Sequence, residues 1–305
     1  MGEGSGVRAE PKSTRSLSIG ALLSHTASHL QEAQPIRAFA PSVLSAFEPC
    51  AHHVAFALSG SGETVTARPT KEGGLTVRGS DVDGMHSVVL LVAQAVLASA
   101  GMESSFELEL TPQTAGLGLS CSAASASAAA LAVNQLLGAP LRKRELVRAC
   151  LESGAALNAA EVTASMMGGL ICVHATSPLS WIRLPVPEGL SVACSQVLET
   201  SAGEQRGEPG PNVSGKMAAF VSACYSADFA LLGLSMEPDD LATLPQPLAR
   251  ARGMGALGVS VRERSYFALC VSERSALEIA AAMGGGRGES VLLVSPADCP
   301  GGRIV

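Results

Sequence analysis

Alternation between apolar and polar positions dominates the first third of the chain. "PIRAFAPSVLSAF" (35–47), "HVAFALSG" and "ETVTARPT" on either side of a turn at Gly60 and Gly62, and "GGLTVRG" each read as a strand. "SSFELELTP" (104–112) keeps the strict period of two that a half-buried strand requires. Between these strands the pattern changes. Residues 84–101 form a helix, and its apolar run "SVVLLVAQAVLASAG" (87–101) is too short and too rich in alanine to span a bilayer. Residues 114–138, "TAGLGLSCSAASASAAALAVNQLLG", join a glycine-punctuated loop to an alanine-rich helix that stops at Gly138.

The second half repeats the mixture without repeating a sequence. "RKRELVRACLESGAAL" (142–157) reads as a helix, "MMGGLICVHAT" and "LSVACSQVLET" as strands, and "GEQRGEPGPN" (203–212) as a breaker-rich loop. "GKMAAFVSACYSADFALLGLSM" predicts a helix pair and "ALGVSVRERSYFALCVS" (256–272) a hairpin. The helix "SALEIAAAMGG" and the strand "SVLLVS" follow. Strands and helices alternate without a strict βαβ rhythm, so the reading is an α+β chain in two layers.

Composition narrows the function classes. The 305 residues suffice for two domains, and with 47% apolar but 3% aromatic residues the core must be built from Ala, Leu and Val. A net charge of −6 argues against a nucleic-acid partner, and no span argues for a membrane. The longest basic run, "RKR" at 142–144, is expected to decorate an exposed helix face. Eight cysteines are dispersed with no metal-ligand spacing, which predicts reduced thiols in a reducing compartment. That compartment is the cytoplasm, or a plastid if residues 1–35 are a transit segment. The other reading of 1–35, which are rich in Ser, Gly and Arg and lack a secretory apolar region, is a flexible extension.

The candidate chemistry lies in "GLGLSCSAA". A glycine-rich turn into a helix can hold phosphate, because its amide N–H groups converge at a positive helix end. Taken alone, the stretch reads as a small-residue helix packed tightly on a sheet with no ligand.

Its neighbours add a resemblance. The stretch resembles the second motif of the GHMP small-molecule kinases, most closely homoserine kinase, whose pattern P-x-G-S-G-L-G-S-S-A-A-S-A also opens an Ala-rich helix. "IRAFAPSVLSAF", "EVTASMMGGLICV", "GALGVSV…FALC" and the closing "GGRIV" line up with further family segments in the same order, covering about residues 36–305. The resemblance implies a ribosomal protein S5 domain 2-like N-terminal domain (36–178) and a ferredoxin-like C-terminal domain (179–305). It also implies ATP with Mg²⁺ at the loop and phosphorylation of L-homoserine, a step of threonine biosynthesis. By that resemblance Gly116, Gly118, Ser120, Cys121 and Ser122 face ATP, Glu152 stands in for the Mg²⁺-binding glutamate, and Arg206 survives from the clamp on the substrate carboxylate. As plain sequence, Glu152 reads as a helix-surface residue and Arg206 as a solvated residue of a breaker-rich loop.

The positions that carry chemistry depart from the family pattern. Ser120 replaces a loop glycine, Cys121 a serine and Thr114 a proline. The first motif, N-x-G-P-G-F-D, becomes "AFEPCAH" (46–52), with Ala46 and His52 at its polar ends. H-A-D-N becomes "NAAE" (158–161), and the glycine turn of the third motif becomes "RERSY" (262–266). Packing segments persist while polar ones change. This predicts a protein that keeps the scaffold and has impaired or lost activity, binding a small-molecule ligand or a protein partner, with a homodimer as the candidate assembly. The competing expectation is a working kinase that uses relocated groups such as His52, Glu152, Arg206 and Arg264.

Overall fold

The computed structural model describes residues 34–45, 53–71, 73–79, 81, 84–112, 119, 121–196, 213–236, 244–262, 265–284 and 292–305. Two sheets organise them. The first contains β1 (Ile36–Leu44), β2 (Val54–Pro69), β3 (Leu75–Gly79), β4 (Phe106–Pro112), β5 (Leu170–Thr176), β6 (Leu179–Leu184) and β11 (Arg303–Ile304). Its main order is β11-β1-β2-β4-β3, with β5 on the other half of β2 and β6 on β5. Every pairing is antiparallel except β3 with β4, which are joined by the crossover helix α1 (Met85–Ala100).

Gly60 and Gly62 do not make the expected turn. β2 runs through both as one strand of 16 residues, and the irregularity appears as a register shift against β1 between Pro41 and Val43. The reason is packing. A Cβ on Gly62 would stand 2.3 Å from the Phe39 ring and 2.4 Å from the Ala40 carbonyl, so glycine lets an aromatic ring lie on the strand.

One face of this sheet carries helices α1, α2 (Cys121–Leu136) and α4 (Ala159–Met167), with α3 (Lys143–Glu152) packed on them. Nearly all of α2 is buried, which explains its alanines: only small side chains let a helix sit that close to β1 and β2. The predicted helix 142–157 ends earlier, at Glu152, where Gly154 takes φ 82°. "MMGG" is likewise not strand. Met166 and Met167 close α4, and Gly168 and Gly169, at φ 81° and 72°, turn the chain into β5.

The second sheet is antiparallel, in the order β10 (Leu292–Pro296), β7 (Ser191–Gln196), β9 (Ser265–Cys270), β8 (Gly258–Arg262). Helices α5 (Val213–Ser226), α6 (Phe229–Ser235) and α7 (Gln246–Gly253) connect β7 to β8, and α8 (Glu273–Gly284) connects β9 to β10. Taking α5–α7 as one connection, this is a β-α-β-β-α-β chain with strand order 4-1-3-2, the ferredoxin-like arrangement. α7 and β6 are elements that the pattern reading did not mark.

A core between the sheets joins them. Leu44, Phe56, Leu58 and Leu170 from the first sheet meet Val192, Phe267 and Leu269 from the second, with Phe220 of α5 and Leu232 of α6 among them. The seven cysteines described are buried and form no disulfide. Burial pushes the Cys150, Cys194, Cys224, Cys270 and Cys299 thiols up to about 12, which keeps them protonated and unreactive. The "RKR" run is more than surface decoration. Arg144 stacks its guanidinium 4.5 Å from the Trp181 ring centroid, and the Lys143 ammonium is bonded to two backbone carbonyls.

Candidate functional site

The starts of α2 and α4 carry the polar and small residues of the candidate motifs. Leu119, just before α2, belongs to the buried cluster that also holds Leu44 and Leu58. α4 starts beside the end of β1, because the Ser45 hydroxyl, directly after β1, donates to the buried Glu161 carboxylate in the first turn of α4. A second tie fixes the direction of α4: the Ser165 hydroxyl donates to the Pro41 carbonyl at 2.8 Å, one turn further along.

The first turn of α4 is internally satisfied. Asn158 is its N-cap, its side-chain oxygen accepting from the Ala160 amide at 2.8 Å and the Glu161 amide at 3.2 Å. Glu161 places a carboxylate at the positive end of the helix, where the peptide dipoles favour it. "NAAE" is therefore an N-cap followed three residues later by an acid. That signal is legible in the sequence as a helix start. Ser45, Asn158 and Glu161 are the polar residues at this place that the sequence reading did not single out.

The residues that it did single out fall as follows. Cys121 is the first residue of α2 and buried, with its amide donating to the Leu119 carbonyl at 2.7 Å. Ser122 follows it, half-buried. Glu152 is the last residue of α3 and exposed. Gly116, Gly118, Ser120 and Arg206 lie outside the described residues, as do Thr114, Ala46, His52, Glu263 and Arg264 and the whole of segment 1–33. The structure places Cys121 and Ser122 in the first turn of α2 and leaves Glu152 on the surface.

Comparison with known proteins bears on this geometry. The model described as GHMP kinases N terminal domain matches residues 87–169, the span from α1 through α4 to Gly169. The homoserine kinase of Chlorobium phaeobacteroides (strain BS1) is 27% identical over 245 residues, covering 70% of this chain and 75% of that protein. The crystal structure of homoserine kinase from Cytophaga hutchinsonii superposes with a TM-score of 0.76 at 25% identity, covering 90% of this chain and 98% of that one. The chain is similar to GHMP kinases, homoserine kinases among them. The same fold, at 14% identity and a TM-score of 0.63, covers 89% of this chain and 98% of the mevalonate diphosphate decarboxylase from Enterococcus faecalis, a structure described for its ATP binding.

Against that family the donor set can be tested. The Ser122 and Ala123 amides in the first turn of α2 are of the kind that suits an anionic phosphate, whereas the Cys121 amide is engaged by the Leu119 carbonyl. A magnesium ion prefers hard oxygen donors; Cys121 offers a thiol in their place, and the Glu152 carboxylate lies exposed at the end of α3. Among the described residues no three Asp, Glu, His or Cys side chains converge on one point. Glu161 has a structural load of its own. Glu161→Ala strips the carboxylate from the Ser45 hydroxyl in a buried setting and is expected to cost about 3 kcal/mol, whereas Glu161→Gln keeps an acceptor and costs about half as much. Urea unfolding of the two variants checks the order.

Proposed function

We propose that this chain is a homoserine-kinase-like protein of the GHMP fold whose phosphotransfer is impaired or lost, and which serves as a binding or scaffold subunit. One observation carries the reading: at the start of α4, the segment matching the family's H-A-D-N, the polar groups are engaged in holding the fold. Asn158 caps its own helix and the Glu161 carboxylate takes the Ser45 proton donor. A thiol leads α2 where the family pattern has a serine. Phosphoryl transfer rests on positioning and on charge stabilisation by a few fixed groups, so these changes fall on the terms that matter. The ligand of this reading is ATP or its anionic part, held weakly at the amides that open α2.

A coupled ADP-release assay with MgATP and L-homoserine tests it. The expected result is no turnover above the background hydrolysis rate. Turnover at the about 1–100 s⁻¹ of an ordinary kinase would overturn the reading in favour of a working homoserine kinase. Restoring the loop should strengthen nucleotide binding: Ser120→Gly combined with Cys121→Ser is expected to tighten MgATP about tenfold, the worth of one or two hydrogen bonds to a charged group. Calorimetric titration measures this, and an unchanged Kd would place the nucleotide elsewhere.

A further inference from the structure

The last seven residues cross from the second sheet back to the first. The Gly169 amide donates to the Cys299 carbonyl at 3.0 Å, the Gly302 amide to the Ser165 carbonyl at 2.9 Å and the Val305 amide to the Arg37 carbonyl at 2.9 Å. β11 adds two residue pairs on β1, Ala38 with Ile304 and Phe39 with Arg303. One side chain gathers the middle of this crossing. Lys143, the first residue of α3, donates from Nζ to the Gly302 carbonyl at 2.7 Å and to the Met166 carbonyl at 3.1 Å. Met166 sits in the last turn of α4, whose carbonyls have no partner within the helix. A single ammonium therefore bonds the end of α4 and the C-terminal segment together.

We propose that Lys143 is an acylation site, and that converting its ammonium to an amide unfastens the C-terminal segment from α4. Three features support this. Lys143 as a residue is exposed, so a small acyl donor can reach it. Partial burial of the ammonium lowers its pKa from the ordinary lysine value, which raises the fraction of nucleophilic amine. The clamp also depends on the chemistry that acylation removes: a secondary amide keeps one N–H and no charge, so it can serve one carbonyl at most. In the step, the Nζ lone pair attacks the carbonyl carbon of an acyl phosphate or thioester and the new C–N bond forms. The bond from that carbon to phosphate oxygen or thiolate sulfur breaks with its electron pair, and the proton leaves Nζ for solvent.

The test uses the full native chain with acetyl phosphate as the probe, at less than one acetyl group per molecule. Sites are mapped by mass spectrometry, with exposed Lys71 as the internal reference. Lys143 is expected to react at least as fast as Lys71. Molecules acetylated there should lose about tenfold or more in hydrogen-exchange protection at the Gly302 and Val305 amides. Lys143→Gln should show the same loss, and Lys143→Arg, which keeps a charged donor, should not. If Lys143→Gln does not fold, the acetylated native protein still gives the answer. Reaction at Lys143 about tenfold slower than at Lys71, or full protection of both amides after acetylation, would overturn the proposal.

Discussion

Gly301→Ala is expected to destabilise the protein by about 3 kcal/mol or more, and to abolish soluble expression if the wild-type margin is of ordinary size. An added Cβ would stand 2.4 Å from the Met166 carbonyl oxygen, 2.5 Å from the Met167 carbonyl carbon and 2.6 Å from the Gly168 nitrogen. All three atoms are backbone, at the point where α4 ends and Gly168 turns under the returning chain, so no side chain can swing aside. The crossing is tight on both sides, since a Cβ on Gly168 would meet the Cys299 carbonyl oxygen at 2.4 Å. Gly253, the last residue of α7, is the control: nothing lies within 4 Å of its Cβ position, and Gly253→Ala should stay within about 0.5 kcal/mol. Thermal and urea unfolding of the pair measures the difference. Equal stabilities would show that the glycine crossing yields, and that the C-terminal segment is not held as described.

Phe220→Ala is expected to cost about 3–5 kcal/mol and to uncouple the two sheets. Phe220 is fully buried on α5, and its ring meets Phe56 of β2 edge-on, with centroids 6.3 Å apart and planes at 90°. Its neighbours come from both sheets, so the space left by truncation opens in the joint itself. The readout can separate the halves. Trp181, the single tryptophan, lies on β6 of the first sheet under Arg144, and its fluorescence reports that sheet, while far-ultraviolet circular dichroism reports the whole chain. In wild type the two unfolding curves should coincide, and in Phe220→Ala the dichroism should begin to fall first. Coincident curves in the variant would mean that the joint does not rest on this contact.

The parts of the fold that were legible in the sequence are those set by neighbours along the chain. The period of two in "SSFELELTP" places Phe106, Leu108 and Leu110 on the core side of β4, and they are there, fully or almost fully buried. The apolar run of α1 and the small residues of α2 read as buried helices for the same local reason. The site was less legible. Motif comparison led to the start of α2 and to "NAAE", but it treated Asn158 and Glu161 as replaced residues, because a pattern of letters does not show what a side chain bonds to. Ser45, which completes that arrangement, carries no local signal at all. Its partner is 116 positions away.

By itself the sequence determined the α+β character, the close-packed alanine helix and the order of segments shared with the GHMP kinases. Periodicity, glycine and proline act through a few adjacent residues, so each such choice is written locally. Tertiary structure alone decided that β2 passes unbroken through two glycines, that Asn158 and Glu161 serve the fold, and that the last residues return beneath α4. Each of those outcomes depends on an atom contributed from far along the chain: the Phe39 ring on Gly62, the Ser45 hydroxyl on Glu161, the Lys143 ammonium on the Gly302 carbonyl. Sequence proximity encodes none of them, because steric contact and hydrogen bonding act at a few ångströms, and only folding brings those atoms that close.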